Sequence, residues 1–167
     1  YGKLLRTGSK FIFAMHYHKE AGPGTGMEDM TSVAIKFHPK DQPVKYALET
    51  SPISYGPFEI PPFNPRWKVG AAKIFDKPVD IVSLMPHTHL RGTAAKFTAF
   101  YPDGTSELLL DVPRYDFNWQ TEYGYKQIKH IPAGTRIEWE IFYDNSKENA
   151  ERVGFDPAQA VSFGQPT

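Results

Sequence analysis

Fifteen prolines and thirteen glycines are spread along this 167-residue chain so evenly that a helix of ordinary length has few places to form. Proline removes a backbone donor and fixes φ, and glycine costs conformational entropy inside any regular element. The intervals between them are filled by β-branched and aromatic residues, which favour a pleated, half-buried surface. These intervals are short, so the chain is expected to be all-β, an antiparallel β-sandwich of the jelly-roll kind built from seven or eight short strands. No period of 20 to 50 residues repeats, which argues against solenoids and propellers.

Period-2 alternation locates the strands. Phe11, Phe13, Met15 and Tyr17 fall on one face of a predicted strand, with Ile12, Ala14, His16 and His18 on the other. A loop over 21–26 leads to a second predicted strand, 31–37. From Pro39 to Pro65 inclusive the chain carries seven prolines and no long apolar period, as suits a linker or edge segment. A domain boundary is therefore expected near Pro43, separating 1–43 from 44–167. Further strands are predicted over 67–75, 79–90, 95–101, 106–112 and 136–143. Pro102-Asp103-Gly104 makes the third and fourth of these a hairpin. In the last, Ile137, Trp139, Ile141 and Tyr143 face one way and Arg136, Glu138 and Glu140 the other.

Composition excludes several functions. Nineteen Lys and Arg balance nineteen Asp and Glu with no basic run, so nothing is present to neutralise a phosphate backbone and no nucleic-acid partner is expected. The longest apolar runs, 11–15 and 81–85, fall far short of the roughly 20 residues of a spanning helix. Cysteine is absent, so any metal must be held by His, Met, Asp or Glu. Phosphate loops, nucleophile elbows, His-Glu-x-x-His and calcium loops are also missing. Asp103 and Asp144 belong to turns, and Phe117 and Trp119 are expected in the core. The chain opens on Tyr1 with neither an initiator Met nor a leader, as expected of a chain trimmed upstream.

Four of the six histidines form two His-x-His pairs, His16/His18 and His87/His89. On extended backbone, residues i and i+2 project from one side and can bind one ion, and imidazole suits Cu, Zn, Fe or Ni. His87-Thr88-His89 follows an apolar strand through Pro86, at a strand end where loops host function. Local context leaves two readings open, an ion site or two rings capping the sandwich edge. His38 and His130 stand singly and are expected on the surface.

Taken in order, Phe13-Ala14-Met15-His16-Tyr17, Ser32-Val33-Ala34-Ile35, Leu84-Met85-Pro86-His87-Thr88-His89-Leu90-Arg91-Gly92, Tyr101-Pro102-Asp103-Gly104, Pro113-Arg114-Tyr115-Asp116-Phe117-Asn118-Trp119-Gln120, Pro132-Ala133-Gly134-Thr135-Arg136 and Asp144-Asn145-Ser146 resemble the bacterial branch of the copper type II, ascorbate-dependent monooxygenases. Peptidylglycine α-hydroxylating monooxygenase and dopamine β-monooxygenase are animal members of that family. The resemblance spans nearly the whole chain and is most specific at His87 to Gly92 and Tyr115 to Gln120.

The resemblance implies two jelly-roll-like domains with one copper each, 1–43 being the last strands of the first and 44–167 a C-terminally incomplete second. It matches His87 and His89 to the His-x-His that binds the oxygen-activating copper. His16 matches the third histidine of the electron-storing copper, and His18 matches nothing. The adjacent His-His pair of that copper would precede Tyr1, and a Met ligand of the oxygen copper would follow Ser162-Phe163-Gly164, a place that none of Met15, Met27, Met30 or Met85 takes by position. Peptide hydroxylases of the family hold a substrate carboxylate with an Arg two residues before the first His. Here that residue is Met85, a candidate pocket residue for an uncharged or apolar substrate. The implied activity is hydroxylation of a C–H bond of a small-molecule or peptide substrate by O2, with ascorbate or a similar reductant, in the periplasm or outside the cell. Contacts with a first domain upstream are implied as well. The alternative is a non-catalytic interaction or assembly module of a larger exported protein.

Overall fold

A computed structural model of the chain describes residues 1–13, 15, 17 and 21–163. The chain divides into two units, Tyr1–Ser51 and Pro52–Thr167, so the boundary expected at Pro43 lies inside the first.

The first unit holds a single isolated bridge, parallel, between Gly2 and Ala47 among its described residues. Around it Gly2 N–H donates to the Tyr46 carbonyl (3.1 Å), Leu48 N–H to the Gly2 carbonyl (2.9 Å), and the Tyr1 and Tyr46 rings stack at 5.4 Å. None of its described residues is buried. The strands expected over 11–18 and 31–37 do not form among the described residues. Alternation and propensity favour an extended chain, but a strand holds only when a ladder satisfies its backbone groups, and no ladder pairs with the described residues of either segment.

The second unit is the all-β, sandwich-like body. Its strands are β1 (Glu59–Ile60), β2 (Trp67–Phe75), β3 (Val79–Leu84), β4 (Gly92–Phe100), β5 (Ser106–Val112), β6 (Tyr123–Ile131), β7 (Thr135–Tyr143) and β8 (Val161–Ser162), with one short helix, α1 (Lys147–Val153). The largest sheet runs β2-β7-β4-β5, and two-stranded sheets pair β3 with β6 and β1 with β8. Every pairing is antiparallel.

The core lies on one face of the four-stranded sheet. On β7 the buried positions alternate, Ile137, Trp139, Ile141 and Tyr143, as their spacing predicts. Val69 of β2, Ala95, Phe97 and Ala99 of β4, and Leu109 and Val112 of β5 join them. Ile81 and Leu84 of β3, Tyr123 of β6, and the buried Ile60 and Val161 of the third sheet pack against this face. The hairpin forms as predicted: Gly104 takes φ 86°, Asp103 Oδ1 accepts from Thr105 N–H (2.9 Å), and Tyr101 N–H donates to the Thr105 carbonyl (2.8 Å).

Register and long-range hydrogen bonds define the two ends of the unit. Leu84 of β3 lies opposite Tyr123 of β6, Gly92 of β4 and Trp67 of β2 lie opposite Tyr143 of β7, and Ala95 lies opposite Val112. The segments 85–91, 113–122 and 144–146 therefore emerge together at one end. The 101–105 hairpin turn closes the other.

Candidate metal centre

Strand β3 stops at Leu84 rather than running to Leu90, and 85–89 continues outside any ladder. Pro86 has no N–H to give a partner strand, which explains the early end. Exposure still alternates: Met85 is exposed, Pro86 buried, His87 exposed, Thr88 buried and His89 half-buried. Met85, His87 and His89 thus share the outward side. The imidazole centres of His87 and His89 lie 5.5 Å apart with planes at 88°, and the His89 ring meets the edge or face of Phe117 at 6.1 Å.

That separation admits a shared ion. With metal–nitrogen bonds of about 2.0–2.1 Å each ring centre lies about 3.2 Å from the ion, so two rings sharing one ion have centres no more than about 6.5 Å apart. The pair at 5.5 Å falls within that bound, and imidazole is a donor that Cu, Zn, Fe and Ni all accept. Among the described residues no group of three His, Cys, Asp or Glu gathers that could hold a metal by itself.

Thr88, between the two histidines, is 3% exposed and tied at both backbone groups to one phenol. Its N–H donates to Tyr115 Oη (3.3 Å), and the Tyr115 hydroxyl donates to the Thr88 carbonyl (2.9 Å). Tyr115 is itself buried, which raises its phenol above the ordinary value, and its N–H donates to the Thr93 carbonyl (2.8 Å). Past His89 the chain turns sharply, Gly92 N–H donating to the His89 carbonyl (2.8 Å). Only glycine fits at 92, since a Cβ there would run into the Thr88 side chain.

Arg91 turns inward. At 3% exposure its Nε donates to Asn145 Oδ1 (2.9 Å), its Nη2 to the Asp156 carbonyl (3.3 Å), and its guanidinium carbon lies 4.0 Å from the Phe155 ring centre. Asn145 is wholly buried and also donates through Nδ2 to the carbonyls of Pro61 (2.9 Å) and Gln159 (3.1 Å). The one cation near the pair in sequence is thus spent on the fold.

The other histidines fall elsewhere. His16 and His18 lie outside the described residues. Exposed His38 contacts the Tyr1 carbonyl through Nε2 (2.9 Å), and exposed His130 pairs through Nδ1 with Asp80 (2.5 Å), its neighbour across β3 and β6. Trp119 corrects an expectation: it is 69% exposed, because the turn closed by its N–H on the Asp116 carbonyl (2.9 Å) lifts it off the core that Tyr115 and Phe117 join. Tyr115 was legible only as part of an aromatic run, since its contact with Thr88 spans 27 residues of sequence.

No protein-family model, curated protein or solved structure matches this chain.

Proposed function

We propose that this chain is the oxygen-activating part of a copper-dependent monooxygenase, with His87 and His89 as copper ligands. The observation that supports it is the outward-facing imidazole pair, its centres 5.5 Å apart, on a segment whose middle residue is buried. Copper, when bound, supplies the one-electron and O2 chemistry that side chains lack, and the substrate C–H bond is hydroxylated. The chain's own contribution is geometric. His87 and His89 present ring nitrogens, Phe117 packs on the His89 ring, and Met85 offers an uncharged surface on the same side for an uncharged or apolar substrate. His16 belongs, in this reading, to a second copper that stores electrons from ascorbate or a similar reductant, and the protein works in the periplasm or outside the cell.

Metal analysis and EPR of Cu(II)-loaded protein test the reading. His87→Ala/His89→Ala should remove one equivalent of copper and its imidazole signature while the far-UV spectrum stays unchanged. Unaltered stoichiometry in the double variant would sink it.

A second reading, a non-catalytic interaction or assembly module, draws on the first unit, where Ile12, Met27 and Met30 are 93%, 94% and 96% exposed. A contact surface would need such side chains to form one contiguous patch, which a partner would then cover. Protein that binds no copper through His87 and His89 would favour this reading.

A further inference from the structure

We infer that Tyr115 is a positioning residue for the histidine pair, its hydroxyl setting the direction in which His87 and His89 point. The inference rests on the copper reading for its purpose but on hydrogen bonds for its geometry.

Residues 85–89 lie outside every ladder, so no sheet enforces the in-out alternation there. An unladdered stretch of five residues is ordinarily free to rotate about its φ and ψ angles, and a pair of rings on it would sample many separations. Gly92 N–H holds the far end of the stretch at the His89 carbonyl (2.8 Å), and Tyr115 holds the backbone of Thr88. The Tyr115 hydroxyl accepts from the Thr88 N–H (3.3 Å) and donates to the Thr88 carbonyl (2.9 Å), which fixes both peptide planes flanking Thr88 Cα. The two planes it fixes are those that join Thr88 to His87 and to His89. With Thr88 held inward against Gly92, the residues on either side are forced outward together.

Tyr115 is well placed to be stiff. Its ring is buried in the core and its N–H is bonded to the Thr93 carbonyl (2.8 Å) at the start of β4, so the hydroxyl is anchored to the main sheet from two directions. Phenylalanine would fill the same space and keep that backbone bond, yet leave Thr88 N–H and C=O without a buried partner. Residues that orient metal ligands through such bonds typically govern 10- to 100-fold in metal affinity.

The test compares wild type with Tyr115→Phe, using Cu(II) alone as the probe and amide hydrogen exchange by NMR as a readout that needs no metal. The expected result is a roughly tenfold or greater rise in the Cu(II) dissociation constant, a changed copper hyperfine splitting, and Thr88 amide exchange at least tenfold faster, while the amides of β7 keep their protection. Equal affinity, a superposable EPR spectrum and unchanged Thr88 exchange in Tyr115→Phe would overturn the inference. If that variant fails to fold, wild type still decides: a Thr88 amide exchanging as fast as those of the exposed 101–105 turn would overturn it, and strong protection would support it. Failure of the copper reading is separately visible, because wild type would then bind no copper that depends on His87 and His89, whereas the exchange arm would still report on Tyr115.

Discussion

Neither Arg91 nor Met85 places a cation at the histidine pair. Arg91 follows His89 by two residues, but its guanidinium is committed to Asn145, Asp156 and Phe155, and burial holds its pKa below the usual arginine value. Met85, two residues before His87, is 49% exposed on the histidines' side and brings no charge. A substrate carboxylate arriving there would meet no fork of donors to replace its lost hydration. A peptide ending in a free carboxylate should therefore bind no better than its amide, and Met85→Arg should create a preference of roughly tenfold for the carboxylate, since a charge-assisted hydrogen bond contributes about 1.5–3 kcal/mol. Competition binding of the two peptides measures this, and a carboxylate preference already present in wild type would refute it. At this scale the sequence made the histidines visible, because a motif is contiguous. The inward turn of Arg91 was not visible, because it depends on an asparagine 54 residues away. Nor was the exposure of Trp119, which a local turn decides against the general tendency of tryptophan to be buried.

Among the elements, those with an undiluted period were legible and those without were not. Both β2 and β5 form over the predicted residues, and β7 begins one residue early at Thr135. By contrast β6, Tyr123–Ile131, went unpredicted because Gln127 and Lys129 occupy the same side as Tyr123, Tyr125 and Ile131, which breaks the apolar alternation. Lys129 serves there as a partner of Glu107 (2.5 Å) on β5. Helix α1 was hidden for another reason: at seven residues it is too short for a 3.6 period to register. Its ends are nonetheless explicit, Ser146 accepting from Asn149 N–H (3.2 Å) and Gly154 closing the last turn at φ 92°. Replacing Ser146 with Ala removes the cap of a helix that has little intrinsic stability. It should cost about 1 kcal/mol in urea unfolding with the m-value unchanged, and a change within error of zero would show the cap to be dispensable.

On the scale of the whole molecule, every residue of the core cluster comes from Pro52–Thr167, so the measured stability will be that of the sandwich-like unit. Four of its tyrosines tie that stability to alkaline pH. Tyr101 is pushed up to about 12, first by burial and then by its hydrogen bond to Glu107 (2.6 Å), while burial also raises Tyr115, Tyr125 and Tyr143. In the unfolded chain a phenol loses its proton near pH 10. Between that value and the raised one the unfolded state binds fewer protons than the folded state, so stability falls as pH rises. The stabilisation is complete below about pH 10 and drains away toward pH 12. The four groups act in one direction, so the urea midpoint should hold up to about pH 10 and drop steeply from there toward pH 12, with tyrosinate absorbance lagging the model-compound curve until unfolding releases it. Tyr101→Phe should flatten the upper part of that decline, because burial and the Glu107 hydrogen bond push its phenol up to about 12. A urea midpoint constant from about pH 10 to 12, or a Tyr101→Phe profile superposable on wild type, would contradict the linkage.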